Sequence, residues 1–147
     1  MPIPTRLTAA AIACLGMTAS AGVASAACPA AEPASAREIT AHINQARTAR
    51  GLAPLVPSRA ITRPAVTHST DMAVAQRLWH DDIRRWARRH SAAQNVGGGT
   101  SPVEVFGVMW RSAPHRRAIV SPRYARVGVS AVRACDGDLM VTVNFLS

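Results

Sequence analysis

Histidine, serine, cysteine and one pair of amides are the residues of this chain whose types and spacing could do chemistry. The five histidines are His42, His68, His80, His90 and His115. An imidazole changes charge near neutral pH, so each could move a proton or hold a metal. Ser112 stands three residues before His115, and a hydroxyl beside an imidazole is the start of a nucleophile. Activation needs the base within hydrogen-bond reach and a third group to orient it. Pro114 lies between the two and no orienting acid is evident, so the spacing reads as a structural turn. Gln94 and Asn95 lead through Val96 into Gly97, Gly98 and Gly99. Such a glycine run implies backbone that turns sharply or lies close to something. A carboxylate at position 94 would invite acid–base or metal chemistry, but glutamine does not titrate.

The cysteines depend on what precedes them. Arg6 gives a positive start, residues 7–24 are uncharged and largely apolar, and Ala24–Ser25–Ala26 has the small-x-small form of a signal peptidase site. A leader over residues 1–26 is expected, with cleavage before Ala27 and export. A membrane anchor is the weaker reading, because the run is rich in Ala, Ser, Thr and Gly and only marginally apolar. No later stretch suits a membrane span, so no anchor is expected in the mature chain. Cleavage removes Cys14 and leaves Cys28 and Cys135, an even pair that reads as a disulfide in an exported chain. Closing so long a loop would add roughly 4 kcal/mol in a chain-entropy account. The alternative is a lipoprotein acylated at Cys28, but that needs an aliphatic residue where Ser25 stands. The formal net charge is +9, carried by arginine without lysine. Attraction to anionic polymers or lipids follows, although a solvated surface accounts for the same charges. No basic motif with interleaved aromatics occurs, so no specific nucleic-acid partner is expected.

The elements that would position these groups follow from periodicity. Residues 27–36 read as a Pro/Ala linker. Ser35 and Glu38 form an S-x-x-E capping box, and a helix carries Ile39, Ile43 and Ala46 on one face as far as Gly51. A second helix spans 59–80, with Pro64 near its first turn and His80 at or just past its end. Trp79, Ile83 and Trp86 suggest a short amphipathic segment broken by the glycines. A third helix starts at Ser101 as cap, with Pro102 at its first position and Glu104 closing the box. A short helical piece follows near His115. Residues 126–133 and 138–146 alternate as strands around an Asp-Gly hairpin signal. The result is an α+β sandwich of helices with a C-terminal antiparallel β-hairpin.

Six pieces occur in a telling order: "INQARTARGLAPL", "AVTHSTDMA", "LWH", "QNVGGG", "MWRSAPHRRAIVSP" and "RVGVS…VTVNF". Over residues 37–147 the chain resembles the bacterial branch of the CAP superfamily (cysteine-rich secretory proteins, antigen 5 and pathogenesis-related 1), also called SCP domains. The resemblance implies an α-β-α sandwich with a shallow central cleft lined by two histidines and, in many members, two glutamates. His80 and His115 match the histidines. Gln94, before Asn95, falls where a glutamate usually sits, and Ser112 fills the second glutamate slot, as is common in bacterial members. Some members hold a divalent ion between the histidines, and some bind sterols or fatty acids in apolar grooves; here the Trp79–Trp86 stretch is where such a groove would be sought.

A catalytic zinc wants about three protein ligands and a water. His80 and His115 supply two, and Gln94 offers only a neutral amide oxygen. No resident cofactor is expected, with zinc at His80 and His115 as the exception to test. His42 and His90 read as surface residues, and His68 as a partly buried, hydrogen-bonded one. The expected function is a non-catalytic module at the cell envelope or in the medium, taking a small-molecule, lipid or envelope ligand in a cleft of His80, Gln94, Asn95, Ser112 and His115. A metal-assisted hydrolase built on the two histidines is the alternative.

Overall fold

The computed structural model describes residues 28–88 and 90–147; the expected leader, Cys14 included, lies outside them. In chain order the elements are β1 (Ala30–Ala31), α1 (Pro33–Thr48), β2 (Val56–Pro57), α2 (Arg59–Ala75), α3 (Arg84–Ala87), β3 (Ala92–Gly99), α4 (Pro102–Arg111), α5 (Ala113–Ile119), β4 (Arg126–Arg133) and β5 (Leu139–Leu146). The sheet runs β1-β4-β5-β3, and β2 pairs in parallel with β4. β3 and β4 both lie antiparallel to β5, and β3 is an edge strand.

Every residue of β5 is buried, because helices cover both faces of the sheet. Leu139, Val141, Val143 and Phe145 point to one face, where they pack with Ile39 and Ile43 of α1, Val105 and Met109 of α4 and Ile119 of α5. The alternate residues face α2. There Met140 joins Met72, Ala73, Val96 and Val132, and Leu146 joins Ile61 and Ala87. Period-two alternation on a central strand thus builds an α-β-α sandwich. The α2 face also carries a buried polar seam. Ser69 Oγ donates to Thr142 Oγ1 at 2.9 Å, and Asn144 Nδ2 donates to the Ile61 carbonyl at 3.0 Å. Gly128 permits this contact: a Cβ there would lie 2.5 Å from backbone atoms of Ile61 and Thr62.

Several local expectations give way. Residues 30–36, expected as linker, form β1 and the first turn of α1. The Ser35–Glu38 box is not made, because Pro33 opens the helix and Ser35 is already buried inside it. α2 stops at Ala75, where Gln76 takes a left-handed conformation at φ 48°, so His80 sits in the extended segment beyond it. Trp79 and Trp86 do not share a helical stripe; Trp79 packs near Met72 and Trp86 near Ile61. The "AAQNVGGG" stretch is strand β3 along its whole length. Its Gly97 lies so close to α4 that a Cβ would meet Met109 Cε at 2.9 Å. Ser101 does cap α4, accepting from Glu104 N at 3.3 Å. Glu104 folds back one residue earlier than expected, accepting from Thr100 N at 2.8 Å and Thr100 Oγ1 at 2.7 Å.

The opening "NQAR" of the resemblance pins loops to the sandwich. Asn44 brackets Leu55, donating to its carbonyl at 3.1 Å and accepting from its N–H at 2.8 Å. Arg47 is 2% exposed. Its guanidinium donates to the carbonyls of Ala53 (2.9 Å), Ile119 (2.8 Å), Ser121 (2.9 Å) and Tyr124 (3.2 Å). One side chain thus gathers the loop after α1 and the segment between α5 and β4. Cys28 and Cys135 are bonded, with Cα atoms 5.2 Å apart, tying the segment before β1 to the β4–β5 turn.

Candidate functional site

Gln94 and Asn95 are adjacent in a strand, so their side chains leave the sheet on opposite faces. Gln94 pairs across the sheet with Asn144, on the α2 face. Asn95 points to the other face, where its Nδ2 donates to the His115 carbonyl at 3.0 Å. His80 arrives from the segment after α2 and His115 from α5. The two imidazole-bearing segments therefore flank edge strand β3 from its two sides, and each is held by one member of the amide pair.

The amides on the α2 side have no freedom to flip. The Asp81 N–H can only donate, and it donates to Gln94 Oε1 at 2.9 Å. The Ile61 carbonyl can only accept, and it accepts from Asn144 Nδ2. Between these anchors Gln94 Nε2 donates to Asn144 Oδ1 at 3.1 Å. His80 Nδ1 lies 3.1 Å from the same Gln94 Oε1, so Nδ1 carries the proton and donates. In neutral His80 this leaves the lone pair on Nε2. Asn144, fully buried, was not anticipated from the sequence. The nearest signal was a pair of polar residues, Thr142 and Asn144, at alternate positions of a largely apolar strand.

His115 Nδ1 is buried without a hydrogen-bond partner. Its pKa is lowered from the ordinary 6.5, first by burial and second by the charge of His80. Both causes disfavour the imidazolium. The folded chain therefore takes up this proton less readily than the unfolded chain. Stability owed to neutral His115 is full above pH 6.5 and is lost as pH falls through the lowered pKa. Thermal midpoints should accordingly decline as pH is taken below that value, and His115→Gln should flatten part of the decline. Melts followed by circular dichroism across the range check this; parallel profiles for the two proteins would exclude it.

Ser112 ends α4 and precedes α5, and its hydroxyl makes no capping bond there. Neither it nor any other described group bonds His115 Nδ1, so no serine–histidine dyad is assembled. The nearby acids are committed elsewhere. Asp81 Oδ1 accepts from Asp82 N at 2.7 Å, and Asp82 holds Arg84 through Nε at 2.8 Å and Nη2 at 3.0 Å. Glu104 is bound to Thr100 beyond the far end of β3, about 16 Å along the strand from Gln94 at the usual rise. Among the described residues no group of three or more His, Cys, Asp or Glu could hold a metal ion. The residues present therefore do not fit the three-ligand zinc site that the resemblance allows. His68 is buried with Nε2 2.8 Å from the Trp79 carbonyl, the hydrogen-bonded role its position suggested.

A half-open, largely apolar groove lies away from His80 and His115. A cavity of about 430 Å³ sits between α1 and α2, lined by Ala36, Thr40, Val66, Val127 and Val129, with Arg37 beside them. The Trp79–Trp86 stretch, where such a groove was to be sought, contributes Trp86 to two further pockets. Among the described residues no helix is long and apolar enough to cross a membrane.

The profile of the cysteine-rich secretory protein family, CAP, matches residues 40–145. Among curated proteins none matches the sequence. Among solved structures, an outer surface protein from Borrelia burgdorferi superposes with a TM-score of 0.72 at 12% identity, over 81% of this chain and 98% of that one. An extracellular protein containing an SCP domain from Bacillus anthracis gives 0.67 at 21% identity, over 78% of this chain and 41% of that one. A cysteine-rich secretory protein from Staphylococcus aureus gives 0.61 at 19% identity, over 78% and 38%. The chain thus spans less than half the length of the last two, and at these identities the likeness is one of fold.

Proposed function

Because the chain belongs to the cysteine-rich secretory protein (CAP) family, we propose that it is a non-catalytic ligand-binding module that works at the cell envelope or in the extracellular medium. The observation that carries this reading is the commitment of Gln94. Its oxygen already accepts hydrogen bonds from His80 Nδ1 and the Asp81 N–H, and its nitrogen donates to Asn144. Among the described residues, neither imidazole is hydrogen-bonded to an acid or to a hydroxyl it could activate. That equipment suits hydrogen bonding to a ligand better than proton transfer or metal-assisted hydrolysis. The apolar cavity between α1 and α2 suits the tail of a lipid or a comparable small molecule. Export rests on the leader pattern together with the disulfide, which persists in oxidising compartments.

Zinc tests the reading. Calorimetric titration of the purified chain with zinc chloride is expected to give no stoichiometric site at micromolar metal. Gln94→Glu, which restores a carboxylate beside His80, is expected to gain zinc affinity. Stoichiometric metal in the native protein, with a hydrolytic activity lost in His115→Ala, would establish the hydrolase instead.

A further inference from the structure

A second cavity lies at the end of the sheet where β4 begins and β5 ends. It measures about 520 Å³, and Ile61, Leu146 and the ring of Trp86 form apolar parts of its lining. Arg88, His90 and Arg126 also line it, and no acid does. Among the described residues neither guanidinium forms a salt bridge. Arg126 donates to the main-chain oxygen of Ser147, the last residue of the sequence, and its other N–H groups have no described side-chain partner. Asp71 and Asp81 line a separate pocket with Arg85 and Trp86, and Asp82 is taken by Arg84. The first turn of α2 adds Ala60 to the wall and brings neither a capping side chain nor an acid. Arg88 itself is held at φ 48°, ψ −113°, a conformation that glycine adopts readily and side-chain-bearing residues rarely do. A turn that glycine would make more easily is made with arginine, at a cavity whose other polar groups are cationic or neutral.

We propose that this cavity is an anion site, distinct from the histidine cleft, for a small organic anion with a flat apolar body. The ring of Trp86 and the apolar lining would receive the body, and the guanidinium groups of Arg88 and Arg126 its carboxylate, phosphate or sulfonate. Arginine pairs with such groups through parallel N–H donors and stacks on flat rings. The volume is within the range of small-molecule sites.

Anilinonaphthalene sulfonate has this chemistry and serves as the probe. Fluorescence titration of the purified chain is expected to show a dye site that weakens as sodium chloride is raised. Arg88→Gly should weaken it about tenfold, as expected for losing one charge-assisted contact. The same substitution should hold or raise the thermal midpoint, since glycine relieves the positive φ. Arg88→Gln keeps the backbone demand and should show the same loss of dye. Trp86→Phe should remove the larger part of the tryptophan-sensitised dye emission. Unchanged affinity in both Arg88 variants would overturn the proposal. So would a loss caused by Val66→Phe, in the cavity between α1 and α2, with the Arg88 variants neutral.

Discussion

Arg47→Leu is expected to lower the stability of the domain by about 3–5 kcal/mol and its thermal midpoint by about 10–20 °C. The side chain is buried and donates to four carbonyls on two separated segments. Leucine fills much of the space but leaves those acceptors without donors, at about 1–3 kcal/mol for each one that water does not reach. Burial lowers the Arg47 pKa, yet a guanidinium stays charged at any working pH. Its charge is met here by carbonyl dipoles rather than by a carboxylate. Lysine keeps the charge and loses the planar fork, so Arg47→Lys should recover only part of the deficit. Urea denaturation with an unchanged slope measures both. A deficit under about 1 kcal/mol for leucine would mean that the loops hold their places without the fork.

Asn144→Asp is the second large effect. It places a carboxylate at a position with no exposure, with one oxygen against the Ile61 carbonyl where Nδ2 now donates. A buried charge left without full compensation costs about 3–5 kcal/mol. Burial raises the pKa of the new acid above its unfolded value of about 3.9. The folded state then binds the proton more tightly. The deficit is full above the raised pKa and shrinks as pH falls through it, since the protonated acid can donate to Ile61 again. Denaturation of variant and native protein at neutral and mildly acidic pH should show the gap closing on acidification. A gap that stays constant would show that the carboxylate is hydrated. His80 feels the same change, because Asn144 orients Gln94, and Gln94 fixes the proton on His80 Nδ1.

The parts of the fold legible in the sequence were those where local signals and tertiary context agree. The hairpin was readable because its alternation and its Asp-Gly turn demand one arrangement. The start of α4 was readable because Ser101, Pro102 and Glu104 stand where an uncapped helix end needs them. β3 was not readable. Three glycines are a breaker signal in isolation, and their reason lies in the crowding of α4 and Leu78 against the strand. Only the partner strand β5 and the pressing helix make them consistent with an extended edge.

The site shows the same division. His80, Gln94, Asn95 and His115 could be singled out through the order of the motifs. Their arrangement around a strand edge could not, because it depends on β3 being a strand whose consecutive side chains diverge. Asn144 was hidden in a run of strand residues. Arg47 was hidden because an arginine on a helix usually reaches solvent. Its spacing from Ile39 and Ile43, four and eight residues along one face, was the available clue.

The bond between Cys28 and Cys135 spans 107 residues, and both partners are exposed at the surface. It closes a covalent ring that contains β1 to β4 and α1 to α5. A protease that cuts one loop inside that ring therefore cannot release a fragment. The two pieces stay tethered, and the severed ends remain beside the sheet they came from. Backbone damage in such a domain becomes a nick rather than a dissociation. The segments that carry His80 and His115 both lie inside the ring, so a single cleavage in either leaves the sandwich covalently joined.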